Sequence, residues 1–232
     1  MTSSDSLDLY AKVEDLLGVK EASPRLYAHY LLFLQSHIFS SLLDVGCGSG
    51  DFLLQMNQAL GIEKSKGIDL SPLMVKKTLA LGCEARCLNL SDEKSSYDVI
   101  TAVFDMLNYL NKKELKVFLQ EISLHLNDGG VFLCDINTLY GFQNVAVGSF
   151  IVDDESRFLT IDSDFEEGEY ISEFTLFEQK KCLFQKSQET IRQYLHTIEE
   201  IGSHLGLTLL SQDEVFLYEE EESDKLFLVF IK

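Results

Sequence analysis

Apolar positions along the chain change period several times, and each change marks a predicted element. From residue 5 to 40 the spacing is helical. Leu9, Val13, Leu16 and Leu17 share one face, and Leu26, Tyr30, Phe33 and Leu34 share another. Ser41 to Val45 then reads as a strand ending in a glycine cluster, followed by a helix with Phe52, Met56 and Leu60 on one side. Gly67 to Leu70 is a second strand that runs into Ser71-Pro72. A serine N-cap with proline at the first helical position starts a helix there, and Gly82 is expected to stop it. Glu84 to Asn89 forms a third strand. Tyr97 to Phe104 forms a fourth, apolar apart from Asp98 and Thr101. Leu115, Phe118, Leu119, Ile122 and Leu126 line an amphipathic helix, and Asp128-Gly129-Gly130 turns the chain into a fifth strand, Val131 to Ile136.

Strands that alternate with helices and are apolar on both faces form a parallel sheet covered on both sides. Right-handed crossovers make this a doubly wound α/β fold. The pattern breaks after Thr138. Residues 148 to 190 carry Phe150, Phe158, Phe165, Phe174, Phe177 and Phe184 with turn signals at Asp153-Asp154 and Glu167-Gly168. No helical face fits, so three or four antiparallel strands inserted into the α/β core are expected. The helical period resumes at Thr197, which with Glu200 forms a capping box; Ile198, Ile201 and Leu205 line that helix and Gly206 ends it. Leu207 to Leu217 and Lys225 to Ile231 are two last strands around an acidic turn at Glu219 to Glu222. A short turn makes them antiparallel to each other, so one of them runs against the main sheet. The expected fold is a mostly parallel, seven-stranded Rossmann-like α/β sheet with an antiparallel β insert and an N-terminal helical segment.

A hydrophobic content of 46% over 232 residues supports a sizeable core and excludes global disorder. The net charge of −19 argues against nucleic acid and anionic lipid as partners, since both are bound through basic stripes. Nine acidic residues against Arg157 alone between 153 and 173 read as a solvated outer face. No run approaches the roughly 18 apolar residues of a membrane span. The start, Met1-Thr2-Ser3-Ser4-Asp5, lacks the basic and apolar regions of a secretory leader. Cys47, Cys83, Cys87, Cys134 and Cys182 are odd in number and form no C-x-x-C, so reduced thiols and a cytoplasmic location are expected, with neither a disulfide framework nor a metal site. His29, His37, His125, His196 and His204 form no ligand set or triad.

The chemistry is concentrated in Leu42-Leu43-Asp44-Val45-Gly46-Cys47-Gly48-Ser49-Gly50-Asp51. Glycines between a strand and a helix let the backbone approach a ligand at the strand's carboxyl end. The amides that open the helix can then hold an anionic group. The spacing is G-x-G-x-G, and Asp51 occupies the third small position of the dinucleotide fingerprint. Asp44 and Asp51 would repel a pyrophosphate but welcome an ammonium group. Asp69 ends the second strand, 19 residues beyond Gly50, where a carboxylate can accept both hydroxyls of a ribose. S-adenosylmethionine carries an ammonium, a carboxylate and a ribose.

These residues resemble the class I S-adenosylmethionine-dependent methyltransferases, joined in order and spacing by Tyr97-Asp98-Val99-Ile100 and by Leu126 to Phe132. The stretch Phe104-Asp105-Met106-Leu107-Asn108-Tyr109-Leu110 is similar to small bacterial methyltransferases with an antiparallel insert after the fifth strand, and the layout is similar to sugar-amine and glycine-type N-methyltransferases. The resemblance implies that Asp44, Gly46, Cys47, Gly48 and Gly50 hold the methionine portion, that Asp69 and Leu70 hold the ribose, and that the Phe104 backbone lies near the sulfonium. It usually places an acid after the third strand for the adenine amino group. Arg86-Cys87-Leu88-Asn89-Leu90 has none, which leaves the Leu88 backbone with Cys87, or Asn89, for that contact.

Asp105 is the expected catalytic residue, with Asn108, Tyr109 and Tyr140 near it and Tyr10, Tyr27 and Tyr30 closing over the cofactor. Residues 1–138 and 194–232 are then the cofactor domain, and residues 139–193 form a subdomain that roofs the active site. The expected function is methyl transfer from S-adenosylmethionine to a nitrogen or oxygen of a small-molecule acceptor, with S-adenosylhomocysteine as product and a monomer or homodimer as the working form. The alternatives are a nicotinamide enzyme, a non-catalytic binder of cofactor or a protein partner, and an enzyme with a macromolecular acceptor. Asp51 and the missing Tyr-x-x-x-Lys pattern argue against the first, the glycine loop with Asp69 against the second, and the net charge against RNA in the third.

Overall fold

A computed structural model describes residues 4–218 and 221–232. Helix α1 (Ser4–Val13) and a 3-10 turn (Glu14–Leu16) lead into α2 (Val19–Gln35). The alternating part follows as β1 (Ser41–Val45), α3 (Asp51–Leu60), β2 (Lys64–Asp69), α4 (Pro72–Ala80), β3 (Ala85–Cys87), β4 (Tyr97–Ala102), α5 (Lys112–His125) and β5 (Leu126–Asn137). A π-helical turn (Gly141–Ala146) then enters four strands, β6 (Gly148–Asp153), β7 (Arg157–Glu166), β8 (Glu169–Lys180) and β9 (Leu183–Tyr194). Helix α6 (Ile198–Leu205) and strands β10 (Thr208–Val215) and β11 (Lys225–Ile231) complete the chain.

The main sheet has seven strands in the order β10-β11-β5-β4-β1-β2-β3. Strands β3, β2, β1, β4 and β5 are mutually parallel; β11 runs antiparallel to β5 and to β10. Alternating side chains divide the core. Leu43, Ile100, Phe132, Cys134 and Phe230 pack under α5 and α6, while Leu42, Val99, Leu133, Phe227 and Val229 pack under α2 and α3. The insert is a separate antiparallel sheet, β6-β7-β8-β9, as its aromatic spacing implies. Its inner face, Leu159, Ile161, Phe174, Leu176 and Ile191, buries Leu9 and Val13 of α1. None of its nine acidic residues between 153 and 173 is buried, so they form the solvated face.

Several boundaries differ from the sequence pattern, among them β3, which ends at Cys87, and β10, which ends at Val215; three have a clear physical reason. Strand β2 starts three residues early because the polar Lys66 is buried and paired with Glu93, which hides its strand character. Strand β4 stops at Ala102 because Phe104 and Asp105 both have positive φ (57° and 49°) and turn the chain. Strand β5 extends back to Leu126 through a bulge opposite Tyr97 and Val99. The capping box falls at Asn111 and Glu114, where both reciprocal bonds form; at Thr197 the hydroxyl accepts from the Glu200 N–H, while Glu200 itself pairs with Lys112. Of the acidic turn at Glu219 to Glu222, residues 219 and 220 lie outside the described residues, as do residues 1–3. No helix among the described residues is long and apolar enough to cross a membrane, and no metal-ligating cluster occurs among them.

Candidate functional site

A cavity of about 280 Å³ opens across the carboxyl ends of β4, β1, β2 and β3 and is covered by the segment from α1 to α2. This edge of an open α/β sheet is where ligands bind. Of the expected site residues, Asp44, Gly46, Cys47, Gly48, Asp69, Leu70, Leu88, Asn89 and Phe104 line it. Gly50 and Asp105 are not among the lining residues.

The glycine loop is folded back onto β2. Gly46 and Cys47 both donate their N–H to the Ile68 carbonyl, at 2.8 and 3.1 Å. Close contact is possible because Gly67 sits beneath: a Cβ there would lie 2.6 Å from the Cys47 sulfur. Gly46 is required twice over, by its φ of +74° and by Met106, whose Cγ lies 2.8 Å from the position of a Cβ. Gly48 faces open space, so its backbone is bare toward the cavity. Gly50 serves packing instead. A Cβ there would meet Thr78 at 2.6 Å, and its φ is +86°. Gly50→Ala is expected to destabilise the protein by about 1–3 kcal/mol, read as a lower urea midpoint at unchanged slope.

Asp69 is fixed from two sides. One carboxylate oxygen accepts the Gly48 N–H at 2.9 Å and the other the Ser71 N–H at 2.8 Å. Burial pushes its carboxyl above the usual range, against the pull of those bonds. Asp44 is almost fully buried and accepts from the Thr101 hydroxyl at 2.7 Å. Burial pushes its carboxyl up to about 7, and the charge of Asp69 adds to the rise. Burial likewise raises the Cys47 thiol, so it stays protonated and inert. Asn89 lines the cavity while its side chain accepts from the Ser91 N–H at 3.3 Å, capping a short turn. Cys87 is exposed beside it.

The cover is tied to the floor. Ser49 of the glycine loop donates to Glu14 at 2.8 Å, Lys77 donates to Glu14 at 3.1 Å, and the Ser71 hydroxyl donates to Asp8 of α1 at 2.7 Å. Tyr10 and Tyr27 face the cavity, as does Tyr109. Burial raises all three hydroxyls above their ordinary value, so they remain neutral donors and acceptors. Tyr30 is not in the lining; it is fully buried and donates to Asp135 at 2.7 Å. Asn108 ties the insert to β5, donating to the Tyr194 carbonyl at 2.8 Å and accepting the Asn137 N–H at 3.0 Å.

Asp105 belongs to a buried charge cluster that the sequence reading missed. One oxygen accepts from Lys225 of β11 and the other from Gln193 of β9. Lys225 also donates to Asn137 at 2.7 Å and lies 3.6 Å from Asp135 of β5. Lys225 follows a turn 120 residues away in sequence, so no local spacing connects it to Asp105. Lys20, at the start of α2, also lines the cavity and pairs with Asp51 at 3.4 Å; it too escaped the sequence reading.

The donor set fits the cofactor the sequence points to. Four carboxylates (Glu14, Asp44, Asp51 and Asp69) line one cavity with Lys20, beside a bare glycine backbone. That suits a ligand bearing an ammonium, vicinal hydroxyls and one carboxylate, and opposes a pyrophosphate. The sheet order, the glycine loop after β1 and the acid that ends β2 are those of the class I S-adenosylmethionine-dependent methyltransferase domain. Residues 42–130 match the family model described as a methyltransferase domain.

An uncharacterised protein of Methanocaldococcus jannaschii is 29% identical over 113 residues, which is 47% of this chain but 43% of that protein, so the match spans less than half its length. A methyltransferase structure from Clostridium acetobutylicum superposes with a TM-score of 0.75 at 20% identity, covering 96% of this chain and 98% of that one. DesVI of Streptomyces venezuelae gives 0.72 at 19%, covering 100% and 98%. CalS10 of Micromonospora echinaspora, an amino pentose methyltransferase, gives 0.68 at 20%, covering 89% and 90%. At these identities the likeness is one of fold, insert included.

Proposed function

We propose that this chain moves the methyl group of S-adenosylmethionine to a nitrogen or oxygen of a small-molecule acceptor by direct displacement. The observation that carries the reading is the covered cavity, with Asp69 and Asn89 at its β2–β3 end and Phe104, Tyr10 and Tyr109 toward β4 and α1. S-adenosylmethionine supplies an activated methyl at a sulfonium; the chain's part is to hold, align and exclude water. Asp69 and Leu70 take the ribose end, and Leu88 and Asn89 the base. Asp44, Gly46, Cys47 and Gly48 take the amino-acid portion. Lys20 is the lining cation suited to its carboxylate. The backbone of Phe104 borders the reacting end.

Asp105 sits between two lining residues, Phe104 and Met106. Its oxygens already accept from Lys225 and Gln193, and each retains a lone pair for an acceptor N–H or O–H. Asp105 therefore orients the acceptor with its charge balanced. Tyr10 and Tyr109 offer neutral hydroxyls beside it. The insert of residues 139–193 stands over α1 and selects the acceptor. A nitrogen acceptor is favoured because proteins of this fold are described as N-methyltransferases, among them a sugar N-methyltransferase and a glycopeptide N-methyltransferase. The test is methyl transfer to a panel of small amines and alcohols, amino sugars included, read by mass spectrometry. A methylated product with equimolar S-adenosylhomocysteine supports the reading; cofactor binding without turnover on any member favours the second one, a cofactor-binding protein without catalysis. The absence of an acid after β3, with Asn89 engaged by Ser91, is the observation behind that alternative.

A pH dependence follows from Asp44. Burial pushes its carboxyl up to about 7, and a bound ammonium would favour the ionised form. Affinity for S-adenosylhomocysteine is expected to rise as pH goes from 6 to 8 and then level off. Calorimetry in two buffers of different ionisation heat should show proton release on binding at pH 6.5 and little at pH 8.5. Equal affinity and no proton release at both pH values would remove Asp44 from the ammonium site.

A further inference from the structure

Two adjacent residues without the freedom of glycine, Phe104 and Asp105, hold left-handed backbone at the wall of the cavity. Such a pair persists only where its surroundings fix it. The fixing group is Asp135, a carboxylate on β5 with no exposed surface. One of its oxygens accepts the Phe104 N–H at 2.8 Å and the other accepts the Asp105 N–H at 2.7 Å. Tyr30 donates a third bond at 2.7 Å, to the same oxygen as the Phe104 N–H, and Lys225 balances the charge from 3.6 Å. The turn so held places the Met106 side chain beside Gly46, where a Cβ would lie 2.8 Å from its Cγ. Strands β4 and β1 are neighbours in the sheet, while Asp69 and Asn89 lie toward β2 and β3. The clamp therefore acts on one end of the cavity only.

We propose that Asp135 is a positioning residue of the reaction: its two carboxylate oxygens hold the Phe104–Asp105 turn at the reacting end of the cavity. The inference rests on the cofactor reading above. Both N–H groups need an acceptor, and a carboxylate supplies two. Asparagine supplies one, and its amide nitrogen would face the other N–H donor. Asp135→Asn should therefore free one end of the turn while leaving β5 in place.

Two ligands separate the ends of the cavity. S-adenosylhomocysteine reaches both, while adenosine reaches the Asp69 and Asn89 end alone. Calorimetric affinities are compared for the parent and Asp135→Asn, with urea unfolding to show that the variant is folded. The expected result is a loss of about tenfold or more for S-adenosylhomocysteine and less than about twofold for adenosine. Equal losses for both, or none for either, would overturn the proposal and leave Asp135 a purely structural residue. If the parent itself fails to bind S-adenosylhomocysteine, the cofactor reading falls and the proposal with it.

Should the variant not fold, amide exchange on the parent decides. The Phe104 and Asp105 N–H groups bond to a side chain, outside any strand or helix. Protection of both at the level of β4 is expected. Exchange at the rate of an open loop would contradict the clamp.

Discussion

Replacing Asp69 by alanine is expected to lower affinity for S-adenosylmethionine and S-adenosylhomocysteine by tenfold or more with the fold intact. The carboxylate is mostly enclosed, and in the cofactor reading it accepts from the ribose hydroxyls. A hydrogen bond to a charged group of this kind is worth about 1.5–3 kcal/mol, or roughly 10- to 150-fold in binding. The substitution also leaves the N–H groups of Gly48 and Ser71 without their carboxylate acceptor, which adds a smaller cost in stability. The helix behind it keeps its cap, because the Ser71 hydroxyl still accepts the Met74 N–H. The variant should therefore stay folded, with the main loss read in binding. Calorimetry on the variant is the check, and parental affinity would mean that Asp69 only braces the glycine loop.

The largest effect on stability is expected at Glu93. Lys66 of β2 and Glu93 form an ion pair that is nearly closed to water, with side chains 10% and 4% exposed. Burial alone would push the Glu93 carboxyl up, but the bond from Lys66 and the N–H groups of Lys94 and Ser95 hold it down at about 2. Glu93→Gln would leave Lys66 buried without its counter-charge, at a cost of about 3–5 kcal/mol. For a chain of this size that is a fall of roughly 6–20 °C in melting temperature. Because the folded-state carboxyl is depressed, the pair's contribution is complete above the ordinary glutamate value of about 4.5. It is lost as pH falls toward 2. The parent's melting temperature should drop steeply between pH 4.5 and 2.5, and that drop should be smaller in the variant. A variant that melts with the parent at pH 7 would show that Lys66 finds water or another partner.

Local chemistry explains which features could be read from the chain. The Ser71-Pro72 start, the Gly206 stop and the apolar runs of β1, β4 and β5 depend on residues within a turn of one another, so their spacing is a direct signal. The glycine loop and Asp69 were legible because both lie at strand ends, where the fold converts sequence position into site position. The early start of β2 was hidden because Lys66 is a buried charge, which polarity patterns count as exposed. The early end of β4 was hidden because the cause, two left-handed residues, is imposed by Asp135, 30 residues further on.

The same reason hid the partners of Asp105. Gln193 and Lys225 come from the insert and from the C-terminal hairpin, and only the closed sheet brings them to the β4 turn. Asp135 and Lys225 left a faint trace, as charges placed within apolar strands, and that is the one signal that marked them. Gly50 was legible as a glycine that matters but not for what, since its neighbour Thr78 stands on the next helix.

The central claim is that this cavity holds S-adenosylmethionine and not a dinucleotide. It is tested most directly by titrating the purified chain with S-adenosylmethionine, S-adenosylhomocysteine and NAD by calorimetry. Binding of the first two in the micromolar range, with none of NAD, is the predicted result. Binding of NAD, or of none of the three, would contradict it.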